Sequence, residues 1–502
     1  MTARVEQAAR AVMALQAVGL VVGVATQAVI AHAFGTARDL GLYTVAVAVV
    51  SFLADWFLRD AMLITLVPPL RTARTVPDAP SGDGQAQAIA WTFVGGAFAA
   101  AALLAIAAEP LVAALAPGFD GPETIRAARM LRALLPSLPL AAVTSCLQAE
   151  LQAQERFALP AAATAARSGV AFVIVVAGVR TLGVFALPAG FVVGYAVAFL
   201  LLSPAWRAAF AWASRPLVRP LRETLGGHLG PVGGVLALGA AGHLNLLTDR
   251  WFASRLSPDA LAQLGYAERF RFPVMALFAV VVSGPALTYL SEAAGRRDWD
   301  QARTTIRQAA SWVASMALPT LVVLACARRE VVAAWLERGA FSPHDTARVS
   351  AVLACLLPAF AVNAFSPLLI AAFFALGRTR PLVTIVAVEV VANVVLDALW
   401  VGRFGLSGLA LATSAATALA NLALWKVLRD EIGGFGHVSP ARIARTGLEL
   451  GLLAAAVTFG LRVTVAWPAA ARVGLATALG GGALAIELAT GFRRDTTGAS
   501  PR

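Results

Sequence analysis

Long apolar runs, separated only by short polar stretches, decide what this 502-residue chain can fold into. A helix needs about 20 mostly apolar residues to cross the hydrocarbon of a bilayer. Runs of that length fall near 11–35, 41–68, 88–115, 128–150, 157–179 and 182–206. Six more lie near 232–254, 266–291, 306–328, 346–376, 381–401 and 404–428, and two last near 446–466 and 468–491. With 59% hydrophobic and only 14% charged residues, a water-soluble globule could not hide its apolar surface. The chain is therefore expected to be an all-α integral membrane protein with about fourteen transmembrane helices.

The net charge of +12 does not point to nucleic acid as a partner. The arginines sit in short loops between apolar runs, where the positive-inside rule places them. An even number of spans puts both termini on one side, and the loop bias makes that side the cytoplasm. The stretch 11–35 is long enough to span and carries no cleavage-site pattern, so it reads as a retained first helix. Two basic segments divide the chain: a linker at 207–231, with Arg207, Arg215, Arg219 and Arg222, and a loop at 430–445. The expected organisation is an N-terminal lobe (1–206), the linker, a C-terminal lobe (232–429), the loop, and a C-terminal helix pair (446–491). Cys146, Cys326 and Cys355 lie in apolar runs without metal-like spacing, so they read as small buried hydrophobes. The five histidines are scattered, no Gly-rich phosphate loop follows a strand, and the polar loops are too short for a catalytic domain. The expectation is a transporter rather than an enzyme, with no required cofactor.

The two lobes share loose internal similarity. Arg156-Phe-Ala-Leu-Pro160, an apolar run and Gly183-Val-Phe-Ala-Leu187 are echoed by Arg378-Thr-Arg-Pro381, an apolar run and Gly405-Leu-Ser-Gly-Leu-Ala-Leu411. Internal repeats with a site between the halves are typical of secondary transporters.

Ionisable groups at membrane depth cost several kcal/mol, of order 3 in insertion scales, and so face protein or water. Asp55 and Arg59 are four apart on one helix face and can pair, either as a structural ion pair or as part of a site. Arg167 lies in the fifth run, lining a cavity or snorkelling to an interface. Asn245, Asp249 and Arg250 occupy the seventh run, while Glu268, Arg269 and Arg271 open the eighth. In the eleventh, Glu389, Asn393 and Asp397 recur every four residues on one face. Oxygens of Asn393, Asp397 and Asp249 would suit a hard cation; the alternative is an interhelical hydrogen-bond network without metal.

At these positions the chain resembles the MurJ/MviN-type lipid II flippases of the multidrug/oligosaccharidyl-lipid/polysaccharide exporter superfamily. The similarity runs in order through Ala31-His-Ala-Phe-Gly35, Val67-Pro68, Ala116-Pro-Gly-Phe119 and Arg156-Phe-Ala-Leu-Pro160. It continues through Asp249-Arg250-Trp-Phe-Ala-Ser254, Tyr266-Ala-Glu-Arg269, Glu337-Arg-Gly-Ala-Phe341 and Gly377-Arg-Thr-Arg-Pro381. It ends with Asn393-Val-Val-Leu-Asp397 and Phe404-Gly-Leu-Ser-Gly-Leu-Ala410. The resemblance implies two six-helix lobes around a cationic cavity, and a C-terminal helix pair forming a groove for a lipid tail. It also implies alternating access that moves a lipid-linked saccharide diphosphate across the inner membrane, with membrane lipids as the other partner. On that basis Arg269, with Arg59, Arg250, Arg271 and Arg167, is expected to bind the headgroup, since guanidinium matches phosphate oxygens bidentately. The family's sodium site maps onto Asp249, Asn393, Asp397 and Thr413, making Na⁺ the expected coupling ion. The chain departs from the pattern in the N-terminal lobe. Thr26 and Gln27 stand where the family carries an arginine and an acid, and Gly41 stands where it carries another acid. Ala54 replaces an arginine, and Phe57-Leu-Arg-Asp-Ala61 replaces Phe-Ala-Glu-Gly-Ala. Arg59 is the candidate substitute, and a lipid-linked glycan other than lipid II is the alternative substrate.

Overall fold

A computed structural model describes residues 3–75, 82–205, 229–271, 285–296, 298–434 and 440–497. The basic linker up to residue 228, the middle of the eighth run (272–284) and part of the 430–445 loop (435–439) lie outside the described residues. Within them the protein is helical, without strands. Among the described residues, ten helical stretches are long and apolar enough to cross a membrane. One of these, Thr379–Ile432, is broken at Gly405, whose φ of 58° no helix contains. Ile106 (80% exposed), Phe459 (70%), Leu103 and Leu399 (66% each) lie on the outside of these helices. Apolar side chains so exposed are stable against hydrocarbon, not water.

The chain divides into two compact units, Met1–Ala262 and Gln263–Arg502. The first contains α1 (Ala3–Phe34), α2 (Arg38–Ser51), a π-helical segment (Phe52–Ala61), α3 (Met62–Thr75) and α4 (Gly82–Ile106). It continues with α5 (Ala108–Leu115), α6 (Gly121–Leu134), α7 (Ser137–Ala153), α8 (Ala158–Gly178), α9 (Ala186–Leu202) and α10 (Leu229–Ser254). Its core joins Met62, Leu66 and Leu70 of α3 to Ile89 of α4, Leu147 and Leu151 of α7, Ala163 of α8 and Leu202 of α9. A helix α11 (Ala260–Arg269) runs from the first unit into the second. The second unit then holds α12 (Pro285–Arg296), α13 (Trp299–Leu336), α14 (Pro343–Asn363), α15 (Ser366–Ala375), α16 (Thr379–Ile432), α17 (Pro440–Val463) and α18 (Ala469–Thr497). The last two pack on α13 through Ala327, Leu453, Val457, Leu461 and Ala476. A shielded ion pair of Arg472 with Glu330 (2.8 Å) adds to that contact.

The internal repeat is visible in how the helices start, bend and stop. Capping boxes open α6 (Asp120 with Glu123) and α14 (Ser342 with Asp345), each satisfying backbone N–H groups that a helix start leaves open. Pro136 and Pro358 interrupt the hydrogen-bond ladders that follow. Glu155 and Gly377, with φ of 60° and 66°, turn the chain after α7 and α15. The next amides, of Arg156 and Arg378, reach back to the carbonyls of Leu151 and Phe373 at 2.9 Å each. Gly183 (φ 56°) then ends the following connection, and Gly405 (φ 58°) its counterpart. All four pairs, 120 and 342, 136 and 358, 155 and 377, 183 and 405, share one separation of 222 positions. In the second unit the break at Pro358 is held open by a neighbour. The Ser414 hydroxyl donates to the Cys355 carbonyl (2.6 Å) and accepts from the Ala359 amide (3.3 Å), standing in for the direct backbone bond.

At one end of the first unit three connections meet. Arg38 donates to both carboxylate oxygens of Glu123 (2.7 and 2.8 Å) and to the Gly118 carbonyl (2.9 Å). Arg126 pairs with Asp39 at 2.9 Å. The Gly118 amide donates to Ser254 Oγ at 3.3 Å, tying the end of α10 to the α5–α6 connection. A Cβ on Gly118 would overlap the Ser254 backbone carbonyl, which cannot move aside as a side-chain tip can. Gly118→Ala should therefore destabilise the purified protein by about 2 kcal/mol or more. The measurement is thermal unfolding in detergent, with Gly121→Ala, where nothing lies within 4 Å of the added Cβ, as the control.

Candidate functional site

The π-helical segment Phe52–Ala61 carries Asp55, and wide turns of this kind recur where a helix serves a site. Three donors from three elements converge on one oxygen of that carboxylate. Arg59 reaches Asp55 Oδ1 at 3.2 Å, Arg167 of α8 at 3.0 Å and the Tyr195 hydroxyl of α9 at 2.9 Å. The Arg167 guanidinium also lies over the Tyr195 ring, 4.5 Å from its centroid, a cation–π contact that orients it. Arg167 sits about 14 Å along α8 from Ala158, well inside an apolar helix. Its backbone fits closely: a Cβ on Gly194 of α9 would come within 2.7 Å of the Arg167 carbonyl.

Arg59, Arg167 and Tyr195 line a cleft together with Thr144 and Gln148 of α7 and Thr164 of α8. Arg167 is 21% exposed and Asp55 26%, so the cluster opens onto the cleft and is not sealed in the core. The Thr144 hydroxyl, on a residue only 3% exposed, meets no hydrogen-bonding partner among the described residues. A polar atom so buried and unpaired is unusual.

The position-for-position equivalents in the second unit carry the opposite charge. Arg167 and Tyr195 correspond, at the same separation of 222 positions, to Glu389 and Thr417. These two are also in contact, the Thr417 hydroxyl donating to Glu389 Oε1 at 2.8 Å. One turn further along α16 the Asn393 amide donates to Asp397 Oδ2 at 3.0 Å, and both residues are fully buried. Thr413 is half-buried and its hydroxyl donates back to the Leu409 carbonyl at 3.0 Å. Asn421 donates to the Thr417 carbonyl (3.0 Å) and accepts from Ser366 (3.3 Å), so the polar seam continues along α16.

Of the residues singled out from sequence, the structure thus brings Arg59 and Arg167 together, and Asn393 with Asp397. Asp249 and Arg250 are adjacent on α10 of the first unit, each 6% exposed. Arg269 ends α11 half-buried in the second unit, and Arg271, two residues on, is exposed. Sequence reasoning did not select Tyr195, Thr144 or Gln148 for the first-unit cleft, nor Thr417 for the second. The signal available was the repeat: the separation that aligns Gly183 with Gly405 also aligns Arg167 with Glu389 and Tyr195 with Thr417.

Comparison with known proteins places this arrangement. A family model described as "Lipid II flippase MurJ" matches residues 30–473. A "Probable lipid II flippase MurJ" from Rhizobium meliloti is 30% identical over 244 residues, covering 46% of this chain and 44% of that protein. One of the same description from Synechocystis is 28% identical over 175 residues, covering 34% of this chain and 32% of that protein. The chain thus aligns with less than half the length of these curated relatives. A solved structure titled "Lipid II flippase MurJ, inward closed conformation" shares the fold with a TM-score of 0.78 at 18% identity, over 97% of this chain and 99% of that one. An inward-facing multidrug resistance transporter of the MATE family follows with a TM-score of 0.66 at 16% identity, over 83% of this chain and 94% of that one.

The Glu389–Thr417 contact is open to direct measurement. Thr417→Val should lower stability by about 1 kcal/mol, because the carboxyl loses its donor. A double-mutant cycle with Glu389→Leu should return a coupling of similar size; additive effects in thermal unfolding would show the contact contributes nothing.

Proposed function

The chain belongs to the MurJ lipid II flippase family, and on that premise we propose that it carries a polyprenyl-diphosphate-linked saccharide across the inner membrane by alternating access. Family membership along residues 30–473 carries this reading, joined to guanidiniums held at membrane depth in the first unit. A diphosphate headgroup cannot enter hydrocarbon unaided, whereas arginine offers it planar, bidentate pairing in place of water. Arg269, with Arg59, Arg167, Arg250 and Arg271, is the proposed headgroup set, and both termini are proposed to be cytoplasmic. Lipid II is the substrate the family name favours. The family positions at Thr26, Gln27 and Ala54, with Arg59 as the candidate substitute, leave another lipid-linked glycan as the alternative substrate.

Sodium is the proposed coupling ion. Amide, carboxylate and hydroxyl oxygens from Asn393, Asp397 and Thr413, with Asp249, are the hard donors such an ion takes. Bound there, it would neutralise buried carboxylate charge. It would bias the transport cycle only by binding the two states unequally.

In proteoliposomes loaded with lipid II, Arg269→Ala should abolish transport while leaving the protein folded. Arg269→Lys should recover only part of it, since lysine keeps the charge without the planar fork. Normal flipping by Arg269→Ala would refute the headgroup assignment. Transport should also rise with external sodium and lose that dependence in Asp397→Asn. A rate indifferent to sodium in both proteins would leave Asn393 and Asp397 as a structural network. A reporter fused after Arg502 should read as cytoplasmic.

A further inference from the structure

We propose that Asp55 is a resident counter-ion that a substrate phosphate group displaces, which makes the cleft around Arg167 an anion-binding subsite of the first unit. The inference rests on the reading of a diphosphate-bearing substrate and adds Asp55 as the group that a phosphate displaces, with the neutral donors of α7 beside it.

The geometry differs from that of an ion pair built only for stability. A carboxylate engaged structurally by arginine commonly uses both oxygens in a fork. Here Arg59, Arg167 and the Tyr195 hydroxyl all crowd onto Oδ1. Of its five N–H donors, Arg167 spends one on Asp55, and its guanidinium remains partly exposed to the cleft. The other polar groups lining the cleft are neutral: Ser145, Gln148, Thr164 and the buried, unpartnered Thr144 hydroxyl, with Ala198 beside them. Thr164 is already committed to the Pro160 carbonyl at 3.0 Å, which leaves Thr144, Ser145 and Gln148 as the neutral donors lining the cleft. A guanidinium fork with neutral donors beside it suits the several oxygens of a phosphate better than a cation or an apolar group.

The carboxylate is also placed where it can yield. Asp55 lies within a π-helical stretch, a rare geometry that recurs at functional sites. Arg167 is held independently by the Tyr195 ring, so it keeps its position when Asp55 withdraws. A resident carboxylate lowers affinity for any single anion, because the anion must compete with it. It thereby favours ligands that bring several oxygens at once and lets them leave on the other side of the membrane. The second unit offers a contrast: the equivalent pair, Glu389 and Thr417, presents a carboxylate and no guanidinium.

The test uses full-length protein in detergent and inorganic pyrophosphate as the probe, with affinity read by calorimetry. Asp55→Asn, which removes the competing charge, should bind pyrophosphate at least about tenfold more tightly than the natural protein. Adding Arg167→Gln should erase the gain. If Asp55→Asn does not fold, Tyr195→Phe leaves both arginines, frees one contact on Oδ1 and should tighten binding about threefold. Unchanged or weaker pyrophosphate binding in the folded variant, or a gain that survives Arg167→Gln, would overturn the proposal. Transport of lipid II by the natural protein is measured alongside. Tightened pyrophosphate binding without lipid transport would keep the subsite and refute the flippase reading. Intact transport with unaltered pyrophosphate affinity would do the reverse.

Discussion

Hydrocarbon offers no partner to a backbone N–H or C=O, so every interruption of a membrane helix must be satisfied from within the protein. That constraint shapes this structure more than any side-chain contact. Where the chain must turn, it uses a small set of devices: capping boxes at Asp120 and Ser342, left-handed residues at Glu155 and Gly377, and glycines at 183 and 405. Where a proline breaks α14, the hydroxyl of Ser414 spans the gap between Cys355 and Ala359. Each device recovers hydrogen bonds that a helix end or break would otherwise leave unmade. The breaks recur at one separation of 222 positions in the two halves.

On that common scaffold the two halves carry different charges. One position holds Arg167 against Tyr195 in the first unit and Glu389 against Thr417 in the second. The ring suits the guanidinium through its quadrupole, and the hydroxyl suits the carboxyl as a donor. Exchanging these residue types reverses the charge presented at that level of each lobe without altering the helices that carry it. Guanidiniums meet between the π-helical segment and α8, where Arg59 and Arg167 both reach Asp55.

Family and helical membrane architecture were legible in the amino-acid order, because length and apolarity of a run are properties of contiguous residues. The Asp55–Arg59 and Asn393–Asp397 contacts were legible too, as both pairs lie four apart on one helix. The end of one run near 401 and the start of the next near 404 fell beside a real break at Gly405, since glycine is the residue that adopts its positive φ. Less legible were the interruptions inside the runs at 128–150 and 346–376. There α6 passes into α7 and α14 into α15 with little change in hydropathy to mark the joint.

What the sequence by itself determined, then, was the solvent this chain needs, its helical class, its family and the local pairs set by helical periodicity. Only the tertiary structure decided that Arg167 and Tyr195, 112 and 140 positions from Asp55, share its carboxylate oxygen. It likewise decided that Thr144 faces the same cleft, and that Ser414 enters the helix of Cys355. The reason is physical. Periodicity fixes which residues share a face of one helix, but which faces meet depends on packing that small residues permit, as Gly194 does against Arg167. That fit is a property of pairs of surfaces, which no single stretch of sequence contains.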